Sequence, residues 1–277
     1  MNIDWPAVAK FSAPRRLGLF IAFLLALWLP ITAPLYLVFK SDANLASIVT
    51  MLLLFGVFLL LLRFWSRRVY GTQQPFTFYG LEGTRQNGLE ILKGLSIGLL
   101  FTLALFITES LFGWVKIQAS DQFLLKIVLE GSLTGLGVGF AEELFFRGWL
   151  LTELERDYTH QKALILNGFL FAILHFLKPW GEIIRTFPQF PALFLLGTAL
   201  VLAKRAHQQR LGICIGIHGG LVWSYYIFNI GHLIDYTEQV PNWVTGIDQN
   251  PLAGLMGIVF LSLLGAWMGK IRAFSQI

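Results

Sequence analysis

Glu142-Glu143-Leu144-Phe145-Phe146-Arg147 puts three ionisable groups inside a run of membrane-grade hydrophobicity. A charged side chain at bilayer depth costs at least ~2.5–3.5 kcal/mol unless it is paired or faces water. Two neighbouring carboxylates also repel each other. Such a cluster needs partners from the surrounding helices. It therefore points to a polytopic membrane fold with a candidate functional site inside it.

The rest of the chain agrees. Of its 277 residues, 56% are hydrophobic and 13% are charged, against roughly 25% charged in ordinary soluble domains. That composition excludes a soluble globular enzyme, and no nucleic-acid partner is expected. Cys214 is the only cysteine, so no intramolecular disulfide can form. Its apolar neighbours suit a small packing residue. The first apolar run is longer than the 7–15 residues of a secretory signal and lacks a small-residue cleavage site, so it reads as a retained helix.

A helix needs about 20 mostly apolar residues to cross the hydrocarbon core. Eight segments qualify as candidates, at about residues 17–39, 45–62, 94–115, 123–150, 163–177, 187–203, 211–230 and 251–269. The fifth and sixth are short, as suits helices buried in a bundle. Residues 67–87 read as an interfacial connection. With the N-terminus in the cytoplasm, 16 of the 21 Lys and Arg fall in cytoplasmic segments, as the positive-inside rule requires. The expectation is an all-α polytopic membrane protein of about eight transmembrane helices. Both termini are cytoplasmic, and the polar site lies inside the bundle and opens to the cytoplasmic side. The host would be the cell membrane in a prokaryote, with membrane lipids as partners.

Glu142 and Glu143 lie about 100° apart around a helix and cannot both face one point. Arg147 follows Glu143 by four, the spacing at which side chains meet. A Glu143–Arg147 pair lowers the cost of burial and leaves Glu142 to point elsewhere. Phe145, Phe146 and Trp149 add apolar bulk, surroundings that suit a general base. The next segment carries Phe171 and, four residues on, His175. Glu142 and His175 each lie about 16 residues from the middle of the polar run 153–162. At ~1.5 Å rise per residue, an antiparallel pair brings them to one depth. His218, in Gly216-Ile217-His218-Gly219-Gly220, sits among glycines that permit close backbone approach. Glu142, His175 and His218 are thus expected to converge. His160, His207 and His232 read as solvated or interfacial. Glu109 and Glu130 are membrane-embedded without an obvious partner.

The ordered set of Glu142-Glu143 with Arg147, Phe171 with His175, and then His218 resembles the CPBP intramembrane proteases. That family includes the type II CAAX prenyl endopeptidases and the bacteriocin-processing and immunity proteins. The resemblance covers a core of about 122–230 within a single integral membrane domain, 1–277. It implies a metal-independent glutamic endopeptidase that cleaves a membrane-associated protein or peptide, with or without an attached lipid. Glu142 would activate water, His175 would orient it or share its proton, and His218 would stabilise the oxyanion. Glu143, Arg147 and Phe171 would support the site, and no cofactor is implied. The family often carries Asn or Asp four residues after the last His; here that position is Val222. Two other readings remain. One is a catalytically silent scaffold, immunity protein or transporter. The other is a zinc hydrolase with Glu142, His175 and His218 as ligands, although no HExxH helix is present.

Overall fold

The computed structural model describes residues 4–274. Residues 1–3 and 275–277, the extreme ends that the cation pattern assigns to the cytoplasm, lie outside the described ones. Among the described residues, eight helices have 15 residues or more. They are α1 (Ala13–Val38), α2 (Ala43–Val69), α3 (Arg85–Leu111), α4 (Leu124–Glu143), α5 (His160–Leu174), α6 (Phe190–Ala206), α7 (Gly212–Ile230) and α8 (Leu255–Phe274). The only sheet among those residues pairs β1 (Val115–Ile117) with β2 (Ile234–Tyr236), antiparallel. The chain is an all-α polytopic membrane protein. Six helices are long and apolar enough to cross a bilayer, and those at His160–Leu174 and Leu255–Ile271 are shorter. The fifth candidate is thus short, as expected. The sixth is not, because the short helix Trp180–Thr186 runs through a 3-10 turn into α6 to give a 27-residue span.

Helix α4 does not end at Glu143. It passes through a π-helical turn, Leu144–Leu150, and resumes as Leu151–Glu155. Its neighbours come close because they lack side chains. A Cβ on Gly94 of α3 would lie 2.6 Å from the Ile213 carbonyl of α7, and one on Gly139 of α4 would lie 2.7 Å from the Ile215 carbonyl. Helix α7 therefore sits backbone to backbone between α3 and α4, as small residues at four-residue spacing allow in membranes. On the far side, Gly197 of α6 faces Gly168 of α5 in the same manner.

The end of the bundle that carries the α4–α5 turn is tied by ion pairs. Glu153 is fully buried and accepts from Arg16 Nε at 2.7 Å, Trp65 Nε1 at 3.1 Å and the Tyr70 hydroxyl. This joins α1 and α2 to α4. Glu90 pairs with Arg210, and Glu155 with Arg205, each at 2.6 Å. Burial and the Glu153 carboxylate push the Tyr70 phenol up from its ordinary value, so it remains a donor. Several cations counted in the positive-inside tally are therefore buried partners. Arg16, Arg147, Lys204 and Arg205 all lie inside the protein.

Three helices separate the α4–α5 turn from the loop that carries β2. Cysteines at His160 and at Asp235, both exposed, should be labelled from opposite sides of the membrane by an impermeant maleimide, with His160 reached only from the cytoplasm. Labelling of both from one side would overturn the topology.

Candidate active site

The last turn of α4 aims its two carboxylates in different directions. Glu143 points into the bundle and is fully buried, as is Arg147. The Arg147 guanidinium donates from Nη1 to Glu143 Oε1 at 2.8 Å and from Nη2 to the Gly197 carbonyl at 3.0 Å. It also lies over the Phe171 ring, 4.3 Å from the centroid. These contacts offset part of the cost of burying both charges; Glu143 Oε2 and Arg147 Nε keep no hydrogen-bond partner. The expected pair is present and has three further neighbours.

Glu143 Oε1 accepts a second bond, from His218 Nδ1 at 2.8 Å. Helix α7 delivers that imidazole from between its glycines. With Nδ1 committed to the carboxylate, Nε2 turns toward Glu142 and lies 3.9 Å from its Oε2. His175 caps α5, and its Nδ1 lies 2.6 Å from the Phe171 carbonyl. An imidazole can meet a carbonyl only as donor, so Nε2 is the free nitrogen. It lies 3.8 Å from the same Glu142 oxygen. The carboxylate of Glu142 thus stands between two imidazole Nε2 atoms. The Glu142 side chain is one-third exposed and its Oε2 is buried without a hydrogen-bond partner, while Glu143 has no exposure. Phe171 packs against both histidines, with ring centroids 4.6 Å from His175 and 6.0 Å from His218.

The structure therefore brings all six expected residues together. Glu142, His175 and His218 line a cavity of about 280 Å³ with Phe171 and Val222. Most of the wall is apolar. Sequence reasoning missed its other polar groups, Thr102, Gln189, Tyr225 and Asn250, which come from helices and loops without a motif. The lining leads toward Gln189 and Asn250, at the end of the bundle away from the α4–α5 turn. The expected opening lay on the turn's side, taken as cytoplasmic. On that side, Phe146, Arg147 and Lys204 are packed beneath the site.

Two other expectations change. Phe146 meets Phe171 at 4.9 Å, but Phe145 and Trp149 turn away to pack on Phe58 and Phe20. All three lie in the π-turn. Lys204 donates to the Arg147 carbonyl at 2.6 Å and belongs to the site's support; its place at the end of an apolar span disguised it as a loop cation. Glu130 lies near Lys126 at the surface, at 3.8 Å, and Glu109 is buried elsewhere with neither oxygen bonded. Cys214 is buried and donates to the Leu200 carbonyl, as a packing residue can. Among the described residues, no group of three or more His, Cys, Asp or Glu is arranged to hold a metal ion.

Arg147→Ala should leave Glu143 buried with only His218 beside it, costing about 3–5 kcal/mol. Folded yield and thermal stability in detergent should both fall, and Glu143→Gln in the same chain should restore part of the loss. Wild-type stability for Arg147→Ala would show that the pair is solvated.

No curated protein and no solved structure matches the chain. Residues 124–224 match the family model described as type II CAAX prenyl endopeptidase Rce1-like. That segment holds all three motifs, and at the level of family it supports an intramembrane protease of the CAAX type. The resemblance carried by Glu142, Glu143, Arg147, Phe171, His175 and His218 therefore stands, and residues 124–224 match the CPBP/CAAX protease family.

Proposed function

We propose that the chain is an intramembrane glutamate-dependent endopeptidase in which Glu142 is the general base. The observation that carries this reading is the position of Glu142 Oε2, 3.8 Å from His175 Nε2 and 3.9 Å from His218 Nε2. Both separations exceed a direct hydrogen bond and are within reach of one bridging water. In this proposal, Glu142 takes the proton of a water attacking a peptide carbonyl and later passes it to the leaving amine. His175, with Nδ1 committed to Phe171, accepts from that water at Nε2 and fixes its direction. A His218 imidazolium donates Nε2–H to the oxyanion, with Glu143 as counter-charge. Fixed charges act strongly where water is sparse.

The proposal needs no covalent intermediate and no metal. Val222 lies in the cavity wall four residues beyond His218, so helix α7 offers no amide there and His218 bears the oxyanion contact. The substrate is proposed to be a membrane-associated protein or peptide. The apolar cavity beside the catalytic groups accepts aliphatic side chains. A prenylated cysteine followed by aliphatic residues is the first probe to try, on the strength of the family match. We further propose that both termini are cytoplasmic, from the cation distribution.

A cleavage screen of the purified chain against farnesylated and unmodified membrane peptides tests this reading. Glu142→Gln should abolish turnover, because an amide cannot accept the water's proton. His175→Ala and His218→Ala should each lower kcat by about 10²–10³, with binding largely kept. Activity should survive chelation after thorough metal removal. Loss on chelation with rescue by zinc would favour Glu142, His175 and His218 as metal ligands. Full function in Glu142→Gln would favour a scaffold or transporter.

A further inference from the structure

Three consecutive carbonyls of the π-turn are each held by a side chain. Asn167 Nδ2 donates to the Phe146 carbonyl at 2.8 Å and Lys204 Nζ to the Arg147 carbonyl at 2.6 Å. Thr152 Oγ1 donates to the Gly148 carbonyl at 2.6 Å. Asn167 and Lys204 are both buried, on α5 and α6. Burying an ammonium is costly, and here the ammonium is directed at a backbone oxygen beside the site.

The turn they hold has a geometric task. A π-turn acts as an extra residue within an α-helix. Converting it to regular α-helix would rotate the segments on either side relative to each other by about 100°. Both segments are fixed. Upstream, Glu143 is bound to Arg147 and His218; downstream, Glu153 is bound to Arg16, Trp65 and Tyr70. A straight α-helix would satisfy one anchor and swing the other out of place.

We propose that Lys204 and Asn167 are positioning residues for the reaction. By holding the Phe146 and Arg147 carbonyls, they keep the π register that directs Glu142 at His175 and His218 while Arg147 stays beneath Glu143. The activity part of this inference rests on the proposed endopeptidase function; the geometric part does not.

The test uses full-length protein in detergent with Lys204→Met and Asn167→Leu made separately. Thr152→Val serves as a milder, isosteric third variant. Arg210→Gln serves as a control that weakens the Glu90 pair away from the turn. In protein labelled with 15N-histidine, the His218 Nδ1–H held by Glu143 gives a downfield proton signal, assigned by its loss in His218→Asn. That signal should vanish in Lys204→Met and Asn167→Leu and persist in Arg210→Gln, even at equal loss of thermal stability. With a fluorogenic farnesylated peptide ending in Cys-aliphatic-aliphatic-X, kcat should fall about 10–100-fold in the two variants while KM stays within twofold. If Lys204→Met does not fold, Asn167→Leu and Thr152→Val decide. An intact signal and unchanged kcat in the folded variants would overturn the proposal. Absence of any cleavage by wild type would count against the endopeptidase reading alone, since the histidine signal would still decide the register.

Discussion

The arrangement of this protein turns on the burial of one carboxylate. Glu143 is fully enclosed in a membrane bundle and must be paired there. One oxygen takes both Arg147 and His218 at 2.8 Å. Those bonds fix the end of α4, the approach of α7 and the orientation of the His218 ring. They also decide what the neighbouring carboxylate does. With Glu143 committed to the interior, the helical offset directs Glu142 at the cavity. One member of the pair is bound into the bundle and the other faces the cavity.

Backbone proximity makes this possible. Without Gly94, Gly98 and Gly139, α7 could not lie between α3 and α4, and His218 would not reach Glu143. Gly168 and Gly197 bring α5 onto α6, so that one guanidinium meets Glu143, the Gly197 carbonyl and the Phe171 ring at once. Beyond the π-turn, the Arg16–Glu153 cluster binds the first two helices to the rest of the bundle. The chain therefore holds α4 at two buried ionic points, with a π-turn between them.

Much of the site was legible because its signals are local. The spacing of Glu143 and Arg147 predicted their pair, and equal distances from one turn predicted that Glu142 and His175 share a depth. The motif order carried the family resemblance. What stayed hidden is long-range or sub-helical. Arg16 and Glu153 are far apart in sequence, and no periodicity links them. A π-turn has the same composition as an α-turn. Lys204 looked like a loop cation because charge at the end of an apolar span is ordinarily solvated. The direction in which the cavity runs depends on which side chains from separate helices and loops line it, and no local spacing reveals that.

The central claim is that Glu142 meets the scissile carbonyl while Glu143 does not. The most direct measurement is a high-resolution structure of the Glu142→Gln variant with an uncleaved farnesylated peptide bound. The account predicts the scissile carbonyl in the cavity beside position 142, its oxygen within hydrogen-bond distance of His218 Nε2, and the Glu143–Arg147 pair intact. A carbonyl bound away from position 142, or a metal ion held between His175 and His218, would contradict it.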